Sequence, residues 1–378
     1  MRGRVAIVGA GGFVGARLLE MAVLGGRTDI VPVVRSFKSV ARVAHLGMQH
    51  RVADASRQDS LAPALAGCEA VVNLTSGDPA DILPTTQSIY SAAVAAGARL
   101  LVHLSSATVY GQVERPDLPE DAPPLADHWM PYAREKGRAE TFLRSRMTEG
   151  RLAIVVLRPG LIWGPGSPWI LRPVSELVSG TAYLAGDGAG ICNLVYVDNL
   201  VRSIDAVVAH PAPAAGFYNV ADDGTTTWRQ YYSALAAGLG IDMATVHTVA
   251  GDHYRAGSGG FVEELKKLPP YRWLKASLAQ DTKAAIKLRL RRMLDRGSPA
   301  APRKPADPAV TRDMWHLQTT RYPLPAARFA AAFGHRNRTS LAAGVAASLA
   351  WVRFLGLDER DAVTDAVPET PELSRKTA

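Results

Sequence analysis

Tyr132 and Lys136 stand four residues apart, and that pair carries the most legible chemistry in the chain. In a helix the spacing puts both side chains on one face. An ammonium beside a phenol favours the phenolate and lowers its pKa. Upstream, Ser105-Ser106-Ala107-Thr108-Val109-Tyr110-Gly111 follows the apolar run Leu100-Leu101-Val102-His103-Leu104. The run predicts a buried parallel strand, and Ser106 at its exit can hold a substrate oxygen against the phenol. Such a trio can move a proton on and off an oxygen while an alcohol and a ketone interconvert. None of its members accepts a hydride, so the chain has to supply a cofactor site.

The elements that would position these groups alternate between strand and helix. A strand over 4–8 runs into Gly9-Ala10-Gly11-Gly12-Phe13-Val14-Gly15 and then a helix over 16–24. Strand, glycine turn and helix are the context of a dinucleotide fingerprint. Gly9 permits the tight turn, Gly12 admits a pyrophosphate, and Gly15 lets helix and strand pack, with the phosphates on the helix N-terminus near Phe13 and Val14. The strand over 30–34 ends in Arg35-Ser36-Phe37-Lys38, with no carboxylate before Asp54. Arg35, Ser36 and Lys38 suit an adenosine 2′-phosphate, which favours NADP over NAD. Arg35 stacked on adenine would leave NAD open. Asp54, after a strand over 49–52, can reach the adenine edge. Leu74, Thr75 and Ser76 leave the strand that begins at Ala70 and pass along the cofactor, with Ser76 also placed for substrate.

Helices are expected over 61–65, 89–96, 200–208, 228–239, 325–333 and 341–354, with Thr227 capping the fourth. Further strands are expected over 151–157 and 216–220, and 193–199 starts a strand-to-helix unit. Arg158-Pro159-Gly160 then opens a turn-rich wall beside the nicotinamide, with Pro159 and Gly160 as cofactor contacts. The whole predicts a Rossmann-type doubly wound parallel sheet with a smaller C-terminal substrate-binding lobe. Its ligands bind at the carboxyl ends of the strands. The expected division is 1–165 for the dinucleotide-binding domain, its sheet completed by 190–220, and 166–357 for the lobe. The lobe includes an insertion over about 241–310, and 358–378 reads as a disordered tail.

The chain has 378 residues and a formal net charge of +8. The segment 266–296 holds ten Lys or Arg and two Asp, which accounts for that whole excess. Apolar residues recur there at helical spacing, so a basic amphipathic helix could meet an anionic membrane. A lid helix with a solvated basic side is the plainer expectation. A nucleic-acid partner is not expected, since no nucleic-acid motif accompanies the charge. Cys68 and Cys192 sit in apolar contexts and read as reduced core residues of a cytoplasmic protein. The first strand starts almost at once, so no leader is expected, and no metal site is foreseen. The apolar run over 341–357 contains Arg353 and is rich in Ala, which suits a packed helix better than a membrane span.

Taken together, these motifs resemble the extended short-chain dehydrogenase/reductase superfamily, in its NAD-dependent epimerase/dehydratase branch. The resemblance rests on Gly9-x-x-Gly12-x-x-Gly15, Ser-Ser-Ala-Thr-Val-Tyr-Gly, Tyr132-x-x-x-Lys136, Arg158-Pro-Gly and Val195-Tyr-Val-Asp-Asn, in that order over residues 1 to about 240. It implies Ser106 as the catalytic hydroxyl, Tyr132 as general acid/base, and Lys136 as the ligand of the nicotinamide ribose. Thr108 and Arg172 become candidate substrate contacts, and a homodimer is implied.

The departures are informative. Sugar-nucleotide 4,6-dehydratases of the superfamily carry an Asp-Glu pair where this chain has Ala107 and Thr108, so water elimination is not expected. UDP-sugar epimerases place a phosphate-gripping arginine where this chain has Cys192. Asn193 to Asn199, Tyr218 to Asp223 and the long basic stretch are similar to the 3β-hydroxysteroid dehydrogenase-like branch. The leading expectation is an epimerase or reductase of a nucleotide-activated sugar that acts through a keto intermediate. The alternatives are an NADP-dependent reductase of a lipid-like or small carbonyl compound, and a non-catalytic cofactor-binding regulator.

Overall fold

The computed structural model describes residues 3–36, 39, 44–251, 308, 310–334 and 337–357. Lys38, the basic segment 266–296 and the tail 358–378 lie outside the described residues, as does most of the expected insertion.

Seven parallel strands form the main sheet in the order β10-β6-β5-β4-β1-β2-β3. They are β1 (Arg4–Val8), β2 (Ile30–Val34), β3 (Arg51–Val52), β4 (Cys68–Asn73), β5 (Leu100–Leu104), β6 (Ala153–Pro159) and β10 (Gly216–Val220). The order runs outward from β1 in both directions, so the chain reverses beside the glycine turn. In β5, Leu100, Val102 and Leu104 join the cluster on one face of the sheet. Leu101 joins the cluster on the other. Each such side chain contributes about 1.5–3 kcal/mol when fully buried.

On the first face lie α1 (Phe13–Leu24), α6 (Val197–Ala209) and α9 (Ala327–Phe333). On the second lie α2 (Gln58–Leu65), α3 (Pro79–Ala95) and α4 (Pro131–Met147). A separate core builds the lobe from α5 (Pro168–Val178), α7 (Trp228–Leu239), α8 (Arg312–Gln318), α10 (Leu341–Phe354) and the strand β8 (Tyr183–Ala185). Two small parallel pairs complete the architecture, β7 (Leu161–Trp163) with β9 (Leu194–Tyr196), and β8 with β11 (His247–Val249).

Several elements differ from expectation for local reasons. The expected helix over 89–96 begins at Pro79, because Asp78 caps it by accepting from the Ala80 amide at 3.2 Å and Pro79 sits at its first turn. The strand of the unit that starts over 193–199 is only three residues long and pairs with β7, outside the main sheet. The segment 168–178, where no element is expected, is helical despite Pro173, with Ser167 as its cap. Thr227 does cap α7, in a reciprocal capping box with Gln230. Cys68 and Cys192 are buried and unpaired. Among the described residues no helix is long and apolar enough to cross a membrane.

Candidate active site

The glycine turn closes on itself as a dinucleotide cradle requires. Gly9 has φ +89°, a conformation L side chains rarely adopt. A Cβ on Gly15 would stand 2.5 Å from the Gly9 carbonyl oxygen, and one on Gly12 would stand 3.2 Å from it. No side chain caps α1, and its first intrahelical bond runs from the Ala16 amide to the Gly12 carbonyl. The amides of Phe13, Val14 and Gly15 therefore point out of the helix end, where an anion is favoured. The Leu74–Thr75 peptide packs against Gly9, close enough that a Cβ there would stand 3.0 Å from the Leu74 carbonyl carbon. These residues fit a pyrophosphate and the groups on either side of it.

At the adenosine end Arg35 is exposed and Ser36 half-buried. Asp54 accepts from the Ser56 hydroxyl at 2.8 Å and the Ser56 amide at 3.0 Å. Those bonds, the hydroxyl first, and the charge of Arg35 hold its carboxyl below the usual range. Thr75 is fixed by Asn73, whose Oδ1 accepts from the Thr75 amide at 3.0 Å and the Thr75 hydroxyl at 2.6 Å. Ser76 is exposed. Gly160 has a different reason for being glycine, since a Cβ there would meet the Asn193 carbonyl oxygen at 2.3 Å. With Pro159 it ends β6 where β7 and β9 come together.

The proton-transfer groups assemble at the exit of β5. Ser106 caps the one-turn helix Ala107–Tyr110, its Oγ accepting from the Thr108 amide at 3.2 Å and the Thr108 hydroxyl at 2.9 Å. With its lone pairs so used, the Ser106 hydroxyl keeps its proton free for an oxygen at the site. Burial pushes Tyr132 above its ordinary value, and the Ser106 hydrogen bond pulls it back. Lys136 lies one turn along α4, its Nζ 5.9 Å from the centre of the Tyr132 ring. It donates to the Leu104 carbonyl at 2.8 Å. Burial brings it down to about 8, with Glu140 opposing the drop. In this arrangement the loss of water is the larger influence on the Tyr132 phenol, and Ser106 opposes it.

Arg172 donates from Nε to Glu176 at 2.8 Å, one turn along α5. Thr108 faces Ser106 through its hydroxyl, so its contact with the catalytic turn is direct.

Some supporting residues were missed in the sequence. Glu140 extends the Tyr132–Lys136 face by one more turn and forms a fully buried pair with Arg158 of β6 at 2.5 Å. It also accepts from Ser105 at 2.5 Å. Arg158 donates further to the Tyr110 hydroxyl and to the Glu120 carbonyl. The recurrence of Tyr, Lys and Glu at four-residue intervals was the available signal. Arg17 of α1 makes a two-pronged bond to Asp198 at 2.7 and 2.9 Å, which ties the dinucleotide helix to α6.

The model of the NAD dependent epimerase/dehydratase family matches residues 5–221. The chain is similar to an N-acetyl-alpha-D-glucosaminyl-diphospho-ditrans,octacis-undecaprenol 4-epimerase of Escherichia coli O157:H7, 25% identical over 261 residues, or 65% of this chain and 76% of that one. It is similar to a 2-alkyl-3-oxoalkanoate reductase of Stenotrophomonas maltophilia (strain K279a), 26% identical over 276 residues, or 68% of this chain and 81% of that one. Among solved structures, a double mutant of a dTDP-glucose 4,6-dehydratase from Streptomyces venezuelae, with NAD and DAU bound, shares the fold. The TM-score is 0.65 at 21% identity, covering 93% of this chain and 97% of that one. The chain belongs to the NAD dependent epimerase/dehydratase family and is an enzyme of the extended short-chain dehydrogenase/reductase type.

Proposed function

We propose that the chain interconverts an alcohol and a ketone at one carbinol carbon of a diphosphate-linked sugar, without eliminating water. The observation that carries this is the catalytic turn. Ser106 acts on the Tyr132 phenol there, drawing its pKa down against burial, and the two positions that follow Ser106 hold Ala107 and Thr108, neither of which can take a proton from carbon. Glu140, the carboxylate on the Tyr132–Lys136 face of α4, is bound by Arg158 and Ser105. The diphospho-sugar class is supported by the similarity to a lipid-diphosphate sugar 4-epimerase.

A bound nicotinamide dinucleotide supplies the hydride acceptor and donor. The chain does the rest. Ser106 holds the carbinol oxygen against the Tyr132 phenol, and Tyr132 gives or takes the proton at that oxygen. Lys136 keeps a positive charge behind the phenol, which favours the phenolate as it forms. The amides of Phe13, Val14 and Gly15 orient the phosphates, and fixing both reactants in place supplies much of the rate.

A second reading is an NADP-dependent reductase of a lipid-like ketone. It is favoured by Arg35 at the end of β2 and by Cys192, which is buried where UDP-sugar epimerases of the resemblance grip a phosphate. The similarity to a 3-oxoalkanoate reductase supports it too. Membrane contact through 266–296 and a homodimer remain proposals under either reading.

The test is to incubate the protein with UDP-glucose and UDP-N-acetylglucosamine in deuterated water and follow products by NMR. The expected product is a 4-epimer with no deuterium at the reacting carbon, and Tyr132→Phe abolishes its formation while dinucleotide binding persists. A 4-keto-6-deoxy product carrying deuterium overturns the proposal. Inert sugars, with NADPH consumed only by a 3-oxoalkanoate, transfer the assignment to the second reading.

A further inference from the structure

His103 is a buried titratable group that the reaction above does not use. It occupies the last turn of pleat in β5, 1% exposed. Its side chain alternates with Leu100, Val102 and Leu104 and so faces the layer of α3 and α4, as Leu101 does. Ser105, the next residue on that face, donates to Glu140 of α4. The Leu104 carbonyl between them accepts from Lys136. The Lys136 ammonium, bound to the carbonyl of the residue next to His103, is near enough for its charge to act on the buried His103 ring.

The hydrogen-bond chain fixes which ring nitrogen carries the proton. Asn73 Oδ1 accepts from two groups of Thr75, so Asn73 presents its amide Nδ2 to His103 Nδ1 at 3.0 Å. His103 Nδ1 is therefore an acceptor, and in the neutral ring the proton sits on Nε2. Burial and the Lys136 charge keep the ring neutral. His103 Nε2 is buried and has no protein partner. Two buried donors, an Nε2–H and an ammonium, then stand near each other, and neither can accept from the other. A buried donor left unmade costs about 1–3 kcal/mol. A group that offers lone pairs to both removes that cost, and water is the smallest that does.

We propose that His103 and Lys136 together hold one water molecule behind Tyr132, and that His103 is a positioning residue that keeps the Lys136 ammonium hydrogen-bonded. The groups that face Lys136 are Tyr132 and Glu140 from its own helix and His103 from β5, with Arg158 of β6 acting through Glu140. Removing the Nε2–H loosens the water, takes an acceptor from the ammonium, and makes Lys136 easier to deprotonate. The effect is independent of the substrate class.

The test follows the Lys136 side chain by NMR in protein labelled with 13C at lysine Cε, with the signal assigned through Lys136→Arg. His103→Phe is expected to lower the titration midpoint by about one pH unit, the worth of one hydrogen bond to a charged group. His103→Gln, which keeps an N–H at that reach, is expected to restore it. An unchanged midpoint in His103→Phe, or equal midpoints in the two variants, overturns the proposal. Should His103→Phe fail to fold, a high-resolution crystal structure of the unaltered protein decides. A water within hydrogen-bond distance of both His103 Nε2 and Lys136 Nζ supports the proposal, and its absence overturns it.

Discussion

Lys136 is the most expensive residue in the site. Burial brings it from 10.5 down to about 8. That displacement corresponds to about 3 kcal/mol at neutral pH. The unfolded chain keeps the Lys136 proton up to about pH 10.5, whereas the folded chain releases it near 8. Across that window the unfolded state binds more protons, so this residue makes stability rise with pH. Below about 8 the full penalty is present. Lys136→Met is therefore expected to raise the Tm at neutral pH while abolishing turnover. The gain should shrink as pH climbs from about 8 toward 10.5. Thermal unfolding across that range checks it, and a gain independent of pH would show that packing, not charge, is what the lysine gives up.

The elements under the site are joined by the Glu140–Arg158 pair, which links α4 to β6 with both side chains fully buried. Breaking such a pair from one side leaves a buried charge and costs about 3–5 kcal/mol. Glu140→Gln should lower the urea midpoint by that measure, and the double variant Glu140→Leu, Arg158→Met should recover much of the loss. A single variant as stable as the parent would mean that Tyr110 and Glu120 satisfy Arg158 unaided. The pair also shows where the sequence stops being legible. Tyr132, Lys136 and the glycine turn announce themselves because their types and spacing are local. The partner of Glu140 is 18 residues away on a strand, and only the fold brings it there. The same limit explains α5 and α3, where Pro173 and Pro84 look like breakers but sit in helices opened by Ser167 and Asp78. It also explains β8 and β11, three residues each, too short to show a period. The parallel sheet was readable because its strands are continuous apolar runs, whereas of the lobe only the helices over 228–239 and 341–354 were, because its core is assembled from segments spread over 161–357.

At the scale of the molecule, the lobe and the sheet meet through polar strands of contact. Asp222 accepts from Trp163 Nε1 at 3.0 Å, the Tyr196 amide at 2.8 Å and Asn199 at 2.7 Å. Asn199 in turn accepts from the amides of Arg338 and Thr339, just ahead of α10. A ligand held by the sheet is thus coupled to the whole fold, and its binding should appear as added global stability. Saturation at a hundred times Kd adds about 2.7 kcal/mol. That linkage turns the cofactor question into a measurement that needs no substrate. Arg35 is exposed at the end of β2, and its charge acts on Asp54. If Arg35 grips a 2′-phosphate, NADP raises the Tm more than NAD at equal concentration, and Arg35→Ala removes the difference by weakening NADP alone. If Arg35 lies on the adenine, the two dinucleotides raise the Tm alike, and Arg35→Ala weakens both. The first pattern would move the site toward one-way reduction with a cellular hydride pool. The second would suit an enzyme that returns each hydride to the sugar that gave it.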